Sequence, residues 1–261
     1  MIVNLWRYRA YIIKNALSDV RYRYAGSAMG IAWNVITPLA QILIYSVVFS
    51  QIMVTRLTGL GSNASFALYL CAGLLPWGAF ADCVLRGSNA FIENAHYLKK
   101  LPIPEQVFVA KNAAAATLFL GISMAVLGLV TVSVGGSLSL AWLGVPLALL
   151  LFQGFGFGLG LLFGTLNVFV RDIGHALMIG LQLWMWVTPV VYVETILPKH
   201  VQSVLPYNPA YAFIDGLHMM IVGGEWPRAL QWTAMIFWAC AAPVAGYLVL
   251  RRLRPELRDV L

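Results

Sequence analysis

Aromatic side chains carry most of the recognisable chemistry in this chain. Trp33, Tyr45, Phe49, Trp77, Phe80, Phe155, Phe157, Trp184, Trp186 and Tyr192 lie in or beside long apolar tracts. Such rings either sit in the belts that mark a membrane boundary or offer flat apolar faces to sugar rings while their rims meet water and hydroxyls. Stacking tolerates sliding, which suits a polymer that must move, and Trp33, Tyr45, Phe49, Trp77, Phe80, Trp184 and Tyr192 are the candidates for lining such a conduit. Ionisable groups, through which pumps and ion-coupled transporters bind or relay their ion, are nearly absent from the same tracts. Asp82 can pair with Arg86 one helical turn on, and His175 beside Arg171 and Asp172 reads as an interfacial histidine rather than a proton relay. There are no paired carboxylates in the apolar tracts, no HExxH, and no Ser and His constellation beyond an isolated Gly26, Ser27 pair. A GxxxxGK[ST] phosphate loop is also missing, so energy for uphill transport would have to come from another polypeptide. Cys71, Cys83 and Cys240 lie in apolar tracts without CxxC or histidine spacing and read as reduced packing residues, and no metal site is expected.

The elements that must position these residues are membrane spans. Residues 112–170 contain no Asp, Glu, Lys or Arg, in a chain that is 61% hydrophobic, 10% charged and carries a formal charge of +7. A charge at the bilayer centre costs roughly 2.5–3.5 kcal/mol even on lenient scales, and a crossing helix needs about 20 apolar residues. The pattern predicts an all-α integral membrane protein with six transmembrane helices, at 30–53, 66–85, 107–134, 138–170, 173–193 and 229–250, with Gly135, Gly136 and Ser137 turning the chain between the third and fourth. A β-barrel would need short alternating strands, which are not present. Cationic residues sort to one side: Arg7, Arg9, Lys14, Arg21, Arg23, Arg86, Lys99, Lys100, Lys111, Arg171, Arg251, Arg252, Arg254 and Arg258, against Arg56, Lys199 and Arg228. By the positive-inside rule both termini are cytoplasmic, and that spread over loops argues against nucleic acid as a partner.

Three stretches outside the spans have patterns of their own. In residues 1–28, Trp6, Ala10, Ile13, Leu17 and Val20 recur at helical spacing beside Arg7, Lys14 and Arg21, as in an amphipathic interface helix followed by a loop leading into the first span. Residues 86–106 are too polar to be buried; Phe91, Ala95 and Leu98 share a helical face that Pro102 and Pro104 terminate, giving either a docking helix for a soluble partner or a solvated connecting loop. Residues 194–227 carry Pro198, Pro206, Pro209, Gly223 and Gly224 around apolar pieces at 196–205 and 210–222 that are too short to cross, and so read as short re-entrant helices forming an extracytoplasmic gate. Gly154, Gly156, Gly158, Gly160 and Gly164 in the fourth span predict close helix packing.

Residues 21–38, RYRYAGSAMGIAWNVITP, closely resemble the RYRxSxLGxxWxxxxP approach to the first span of type-2 ABC exporter permeases that export polysaccharides. Further stations follow in order: AGLLPW at 72–77, Arg86, Gly87, Ser88, Asn89 through Glu93 and Asn94 to Lys99 and Lys100, then Arg171 with Asp172, then 188–192, and Asn208 with Pro209. The chain departs from many relatives at Leu101, where Phe precedes Pro102, and near His218, where an Arg is common. The resemblance implies a single transmembrane domain over 1–261 that acts with a second copy of itself and two copies of a separate ABC ATPase, which would hold the ATP and Mg. No cofactor is implied in this chain. Phe91, Ile92, Glu93, Tyr97, Leu98, Lys99 and Lys100 would couple to the ATPase, and Asn208 and Pro209 would belong to the gate. Arg21, Tyr22, Arg23 and Tyr24 would meet the diphosphate of a lipid carrier, since guanidinium forks suit phosphate oxygens; positive-inside anchoring is the other reading of the two arginines. Relatives export lipid-linked glycans such as O-antigen on undecaprenyl diphosphate, capsular polysaccharide or teichoic acid across the bacterial inner membrane. A smaller lipo-oligosaccharide or a drug is the alternative cargo, and a passive channel or scaffold the alternative class.

Overall fold

The computed structural model describes residues 1–52, 63–133, 135–136 and 138–260, with side chains for all of these except 48–52, 63–65, 258 and 259. The end of the expected first span at 53, Arg56, Val134 and the turn residue Ser137 lie outside the described residues, as do the side chains of Phe49 and Arg258. The described residues form eleven α-helices and no strands: α1 Ile2–Arg7, α2 Arg9–Tyr22, α3 Trp33–Ile52, α4 Asn63–Glu93, α5 Ala95–Lys100, α6 Gln106–Ser133, α7 Val145–Phe169, α8 Ile173–Val187, α9 Lys199–Gln202, α10 Tyr211–His218 and α11 Ala229–Val260.

Among the described residues five segments are long and apolar enough to cross a membrane: Gly30–Val47, Phe66–Glu93, Gln106–Ser133, Leu140–Phe169 and Ala229–Leu257. The tract expected to supply another crossing, 173–193, holds the 15-residue α8 followed by a non-helical link at 188–193. At 1.5 Å per residue α8 spans about 22 Å, short of the roughly 30 Å hydrocarbon thickness. The second span is longer than its apolar tract, because α4 runs on through Glu93. Arg86, Gly87, Ser88 and Asn89 include no proline, and Asn89 Nδ2 and Ser88 Oγ both donate to the Leu85 carbonyl inside the helix.

At the centre, α7 packs along α4 on one side and α11 on the other. Backbones approach so closely that a Cβ on Gly87 of α4 would lie 2.7 Å from Gly160 Cα, and one on Gly158 of α7 would lie 2.3 Å from the backbone of Ala242 and Pro243 in α11. Lipid tails are as apolar as leucine, so helices in a membrane gain association energy from such close contact rather than from water release. The tract expected to pack closely therefore does so on two faces. Above these contacts lies a stack of rings. Phe80 lies 4.4 Å from Phe152 and 5.5 Å from Phe155 between ring centroids, and Phe155 continues to Phe213 at 5.6 Å.

Because backbone atoms cannot move aside cheaply, Gly87→Ala and Gly158→Ala are each expected to cost about 1–3 kcal/mol. The readout is the melting temperature of the detergent-solubilised protein; Gly121→Ala inside α6, where no atom lies within 4 Å of the added Cβ, should leave it unchanged or raise it slightly.

Candidate functional site

Polar side chains gather at three stations, the first where α2 meets α3, α4 and α6. The chain leaves α2 through turns with Gly26 at φ +87° and Gly30 at φ +47°, backbone that side-chain-bearing residues rarely adopt. Asn34 Nδ2 then donates to the Val20 carbonyl at 2.9 Å, which ties the start of α3 back to α2, and Trp33 Nε1 donates to Ser27 Oγ at 2.9 Å in the turn between them. Between α3, α4 and α6 this leaves a cavity of about 290 Å³, whose wall includes Arg23, Tyr24, Trp33, Asp82 and Phe119.

A ladder of charges runs from that wall, where Arg23 and Asp82 stand, to Arg86 and Asp19 outside it. Asp19 lies 2.7 Å from Arg86 in an ion pair, Arg86 approaches Asp82 at 3.7 Å, and Asp82 faces Arg23 at 3.3 Å. The Arg23 guanidinium also lies 4.1 Å from the centre of the Phe119 ring. Each pair is about one-third exposed, so it contributes a few tenths to about 1 kcal/mol, and the ladder acts mainly by fixing the position of α2 against α4. The Asp82–Arg86 pair expected from the sequence is present, but the shorter contact of Arg86 is to Asp19. Of the four residues expected near a carrier diphosphate, Arg23 and Tyr24 line the cavity; Arg21 and Tyr22 are exposed and outside it, with the Arg21 guanidinium 5.6 Å from the Tyr22 ring. Asp19 and Phe119 had escaped notice. Asp19 had a signal, as the first acidic residue in the sequence and the only one before Asp82.

The second station is an elbow at the end of α4. Asn94 breaks the helix: its Nδ2 donates to the Ala90 carbonyl at 2.7 Å and its Oδ1 accepts from Lys111 Nζ at 2.9 Å. After this break α5 forms a separate turn and a half, and an extended link through Pro102 and Pro104 returns the chain to α6. The continuous face expected from Phe91 to Leu98 is thus divided between two helices. The segment is also less exposed than its polarity implies: Ser88, Asn94, Glu105 and Gln106 are all buried. Burial is tolerated at Ser88, Asn94 and Glu105 because they have partners, Glu105 through an ion pair with Arg254. Phe91 and Leu98 point inward into a cluster with Phe108, Val109, Phe157, Leu250 and Leu257. Ile92, Glu93, His96, Tyr97, Lys99 and Lys100 face outward and are exposed.

The third station joins the end of α8 to α10. Asn208 is its hub: Oδ1 accepts from Trp184 Nε1 at 2.8 Å and from the Ala210 amide at 3.1 Å, while Nδ2 donates to Thr188 Oγ1 at 2.8 Å. His218 Nε2 lies 3.1 Å from the Tyr69 carbonyl with its ring stacked 3.7 Å from that of Tyr69, and the Tyr69 hydroxyl donates to the Tyr192 carbonyl at 2.8 Å. Tyr211 donates to Glu194 at 2.6 Å. On α10, too short to cross, Asp215 accepts from Gln231 Nε2 of α11. Of the two expected half-helices, 210–222 is present as α10 and a π-turn to Gly223; 196–205 is instead broken into short turns around α9, as Pro198 and Pro206 require. Pro209 lies on an apolar groove of about 640 Å³ between α7, α8 and α11, shared with Trp184 and Trp238.

Of the rings expected to line a conduit, Trp33, Tyr45, Trp184 and Tyr192 are half-buried, whereas Trp77 and Phe80 are interior, Phe80 at 0% exposure. Those two contribute to the aromatic core rather than to an accessible wall.

Among the described residues, an all-helical bundle with five long apolar segments and polar stations toward its ends is the architecture of a multi-pass membrane protein. The chain belongs to the ABC-2 type transporter family, which matches it over residues 15–222. It is similar to two O-antigen export system permease proteins RfbA of Klebsiella pneumoniae, each 27% identical over 248 residues, covering 93% of this chain and 92% of the relative. The O-antigen export system permease protein RfbA of Myxococcus xanthus is 24% identical over 231 residues, 88% of this chain and 86% of that one. Membership makes the chain a multi-pass inner-membrane permease subunit and implies an ABC ATPase partner and a transported substrate.

Removing the hub amide strands the Trp184 indole and the Ala210 amide. Asn208→Ala is expected to cost about 1–3 kcal/mol, read as a lower melting temperature and faster proteolysis at 194–210.

Proposed function

We propose that this chain is the membrane-spanning permease of an ATP-driven exporter that moves a lipid-linked polysaccharide, of O-antigen or capsule type, across the bacterial inner membrane. The observation that carries this reading is kinship over 93% of the chain to proteins named as O-antigen export permeases. Two copies of the chain form the conduit, with two ATPase subunits beneath them holding ATP and Mg. In this reading α8 and the link after it complete a sixth crossing where the bilayer is locally thin, α10 and its π-turn are re-entrant, and both termini face the cytoplasm.

Several features support the arrangement. Thr37 and Gln41 on α3 and Gln182 on α8 are exposed within otherwise apolar helices. An amide facing hydrocarbon is costly, so these faces meet a second copy or a watery path instead. Trp33, Tyr45, Trp184 and Tyr192 supply the accessible aromatic surface for a sliding glycan. Arg23 and Tyr24 at the cavity wall, with Arg21 outside it, receive the carrier diphosphate; Ile92, Glu93, Tyr97, Lys99 and Lys100 form the ATPase-docking face, held from behind by Phe91 and Leu98.

The experiment is reconstitution with the ATPase subunit in proteoliposomes, following ATP hydrolysis and glycan translocation. Tyr97→Glu combined with Lys99→Glu should abolish the complex while leaving membrane insertion intact. Arg23→Lys and Arg21→Lys should each lower export about tenfold if a bidentate contact to diphosphate is lost, whereas simple anchoring leaves export unchanged. Movement of short lipo-oligosaccharide but not of polymer would replace the proposed cargo, and glycan export without any ATPase would contradict the reading.

A further inference from the structure

We propose that Glu105 and Arg254 are positioning residues that transmit movement of the α4–α5 elbow to α11, an inference that rests on the elbow being the ATPase-docking face. Glu105 lies where the proline link enters α6; its side chain is 1% exposed, and its Oε2 lies 3.0 Å from Arg254 Nη2 on the last turns of α11. Among the described residues it is the one ion pair that joins α11 to the rest of the chain. The surrounding contact is apolar, with Leu250 and Leu257 of α11 set against Phe91, Leu98 and Phe108. Apolar contact is non-directional and lets helices slide, whereas a paired guanidinium and carboxylate fix register.

Stability alone is a poor reason for this pair. Desolvation of the Glu105 carboxylate offsets part of its attraction to Arg254, whose side chain is 37% exposed, and the best-attested use of an ion pair with a buried member is to set a registry or a switch. The local hydrogen bonding is also incomplete: Arg254 Nε and both amide atoms of Gln106 are buried without a hydrogen-bond partner among the described residues. Polar groups in that state can re-pair when the elbow shifts. Beyond Arg254, α11 continues as one helix from Ala229 to Val260 with Pro243 and Pro255 inside it, and its middle lies in backbone contact with α7, where a Cβ on Gly246 would fall 2.7 Å from the Gly158 carbonyl. A proline inside a helix removes a backbone hydrogen bond and permits a bend, so a displacement imposed at the C-terminal end of α11 passes to the Gly246–Gly158 contact and turns about Pro243, beside the groove bounded by Trp238 and Ala242.

The test compares Glu105→Gln, Arg254→Gln, Arg254→Lys and the double Gln variant in the full complex with the ATPase subunit in proteoliposomes. We expect normal complex yield, continued ATP hydrolysis, and about a tenfold fall in glycan exported per ATP in each Gln variant. The double variant should be no worse than Glu105→Gln alone, because that single variant already removes the link to Arg254, and Arg254→Lys should retain most of the coupling. Export per ATP within about twofold of wild type in both single Gln variants overturns the link. Loss of the complex in them does so too, since the pair would then be a folding or docking determinant. A wild-type chain that binds no ATPase subunit instead removes the docking reading, and this proposal with it.

Discussion

Backbone contact of α7 with α4 and α11 is the constraint on which the other features depend. Gly87 against Gly160, and Gly158 against Ala242 and Pro243, leave no space for even a methyl group between these helices. Inside a bilayer, where water release does not drive helices together, such contact is one of the few sources of association energy available. It sets the spacing at which Phe80, Phe152, Phe155 and Phe213 can stack, and it fixes where α4 emerges to form the elbow and where α11 emerges to meet Glu105. Both projections are thus extensions of helices held by backbone contact with α7.

The polar groups follow from the same arrangement. An apolar centre leaves charge only toward the ends, and there each charged or amide side chain is used to fix one element against another. Asp19, Arg86, Asp82 and Arg23 hold α2 beside α4; Asn94 and Lys111 hold the elbow against α6; Asn208 holds α8 to α10. These ties are individually modest, but each sits where the chain leaves a long helix and would otherwise be free to swing.

Much of this was legible in the sequence because membrane burial imposes a coarse grammar. The uncharged run over 112–170, the glycines of α7 and the prolines of 194–227 each predicted an element or a packing mode from a single physical cause. Other features depend on pairings that residue type and local spacing do not carry. Aromatic residues at helical spacing look the same whether they face a lumen or a neighbouring helix, so Trp77 and Phe80 resembled wall residues although they are interior. The break at Asn94 has neither proline nor glycine to announce it, since a side-chain hydrogen bond to Ala90 and the contact from Lys111 do the work. Arg254 had been counted only as a cytoplasmic cation, and its partner Glu105 lies in a different part of the sequence.

The central claim is that the outward side of the elbow, and not another surface, receives the ATPase subunit. The most direct measurement is site-specific crosslinking in native membranes, with Tyr97→Cys and Leu140→Cys each placed in a Cys240→Ala background beside the coexpressed ATPase. Both positions are exposed, Tyr97 on α5 and Leu140 ahead of α7 at the opposite end of the bundle. Crosslinking to the ATPase at Tyr97, with none at Leu140, is the predicted result. No crosslink at Tyr97 despite an intact complex, or a crosslink at Leu140, would contradict the account.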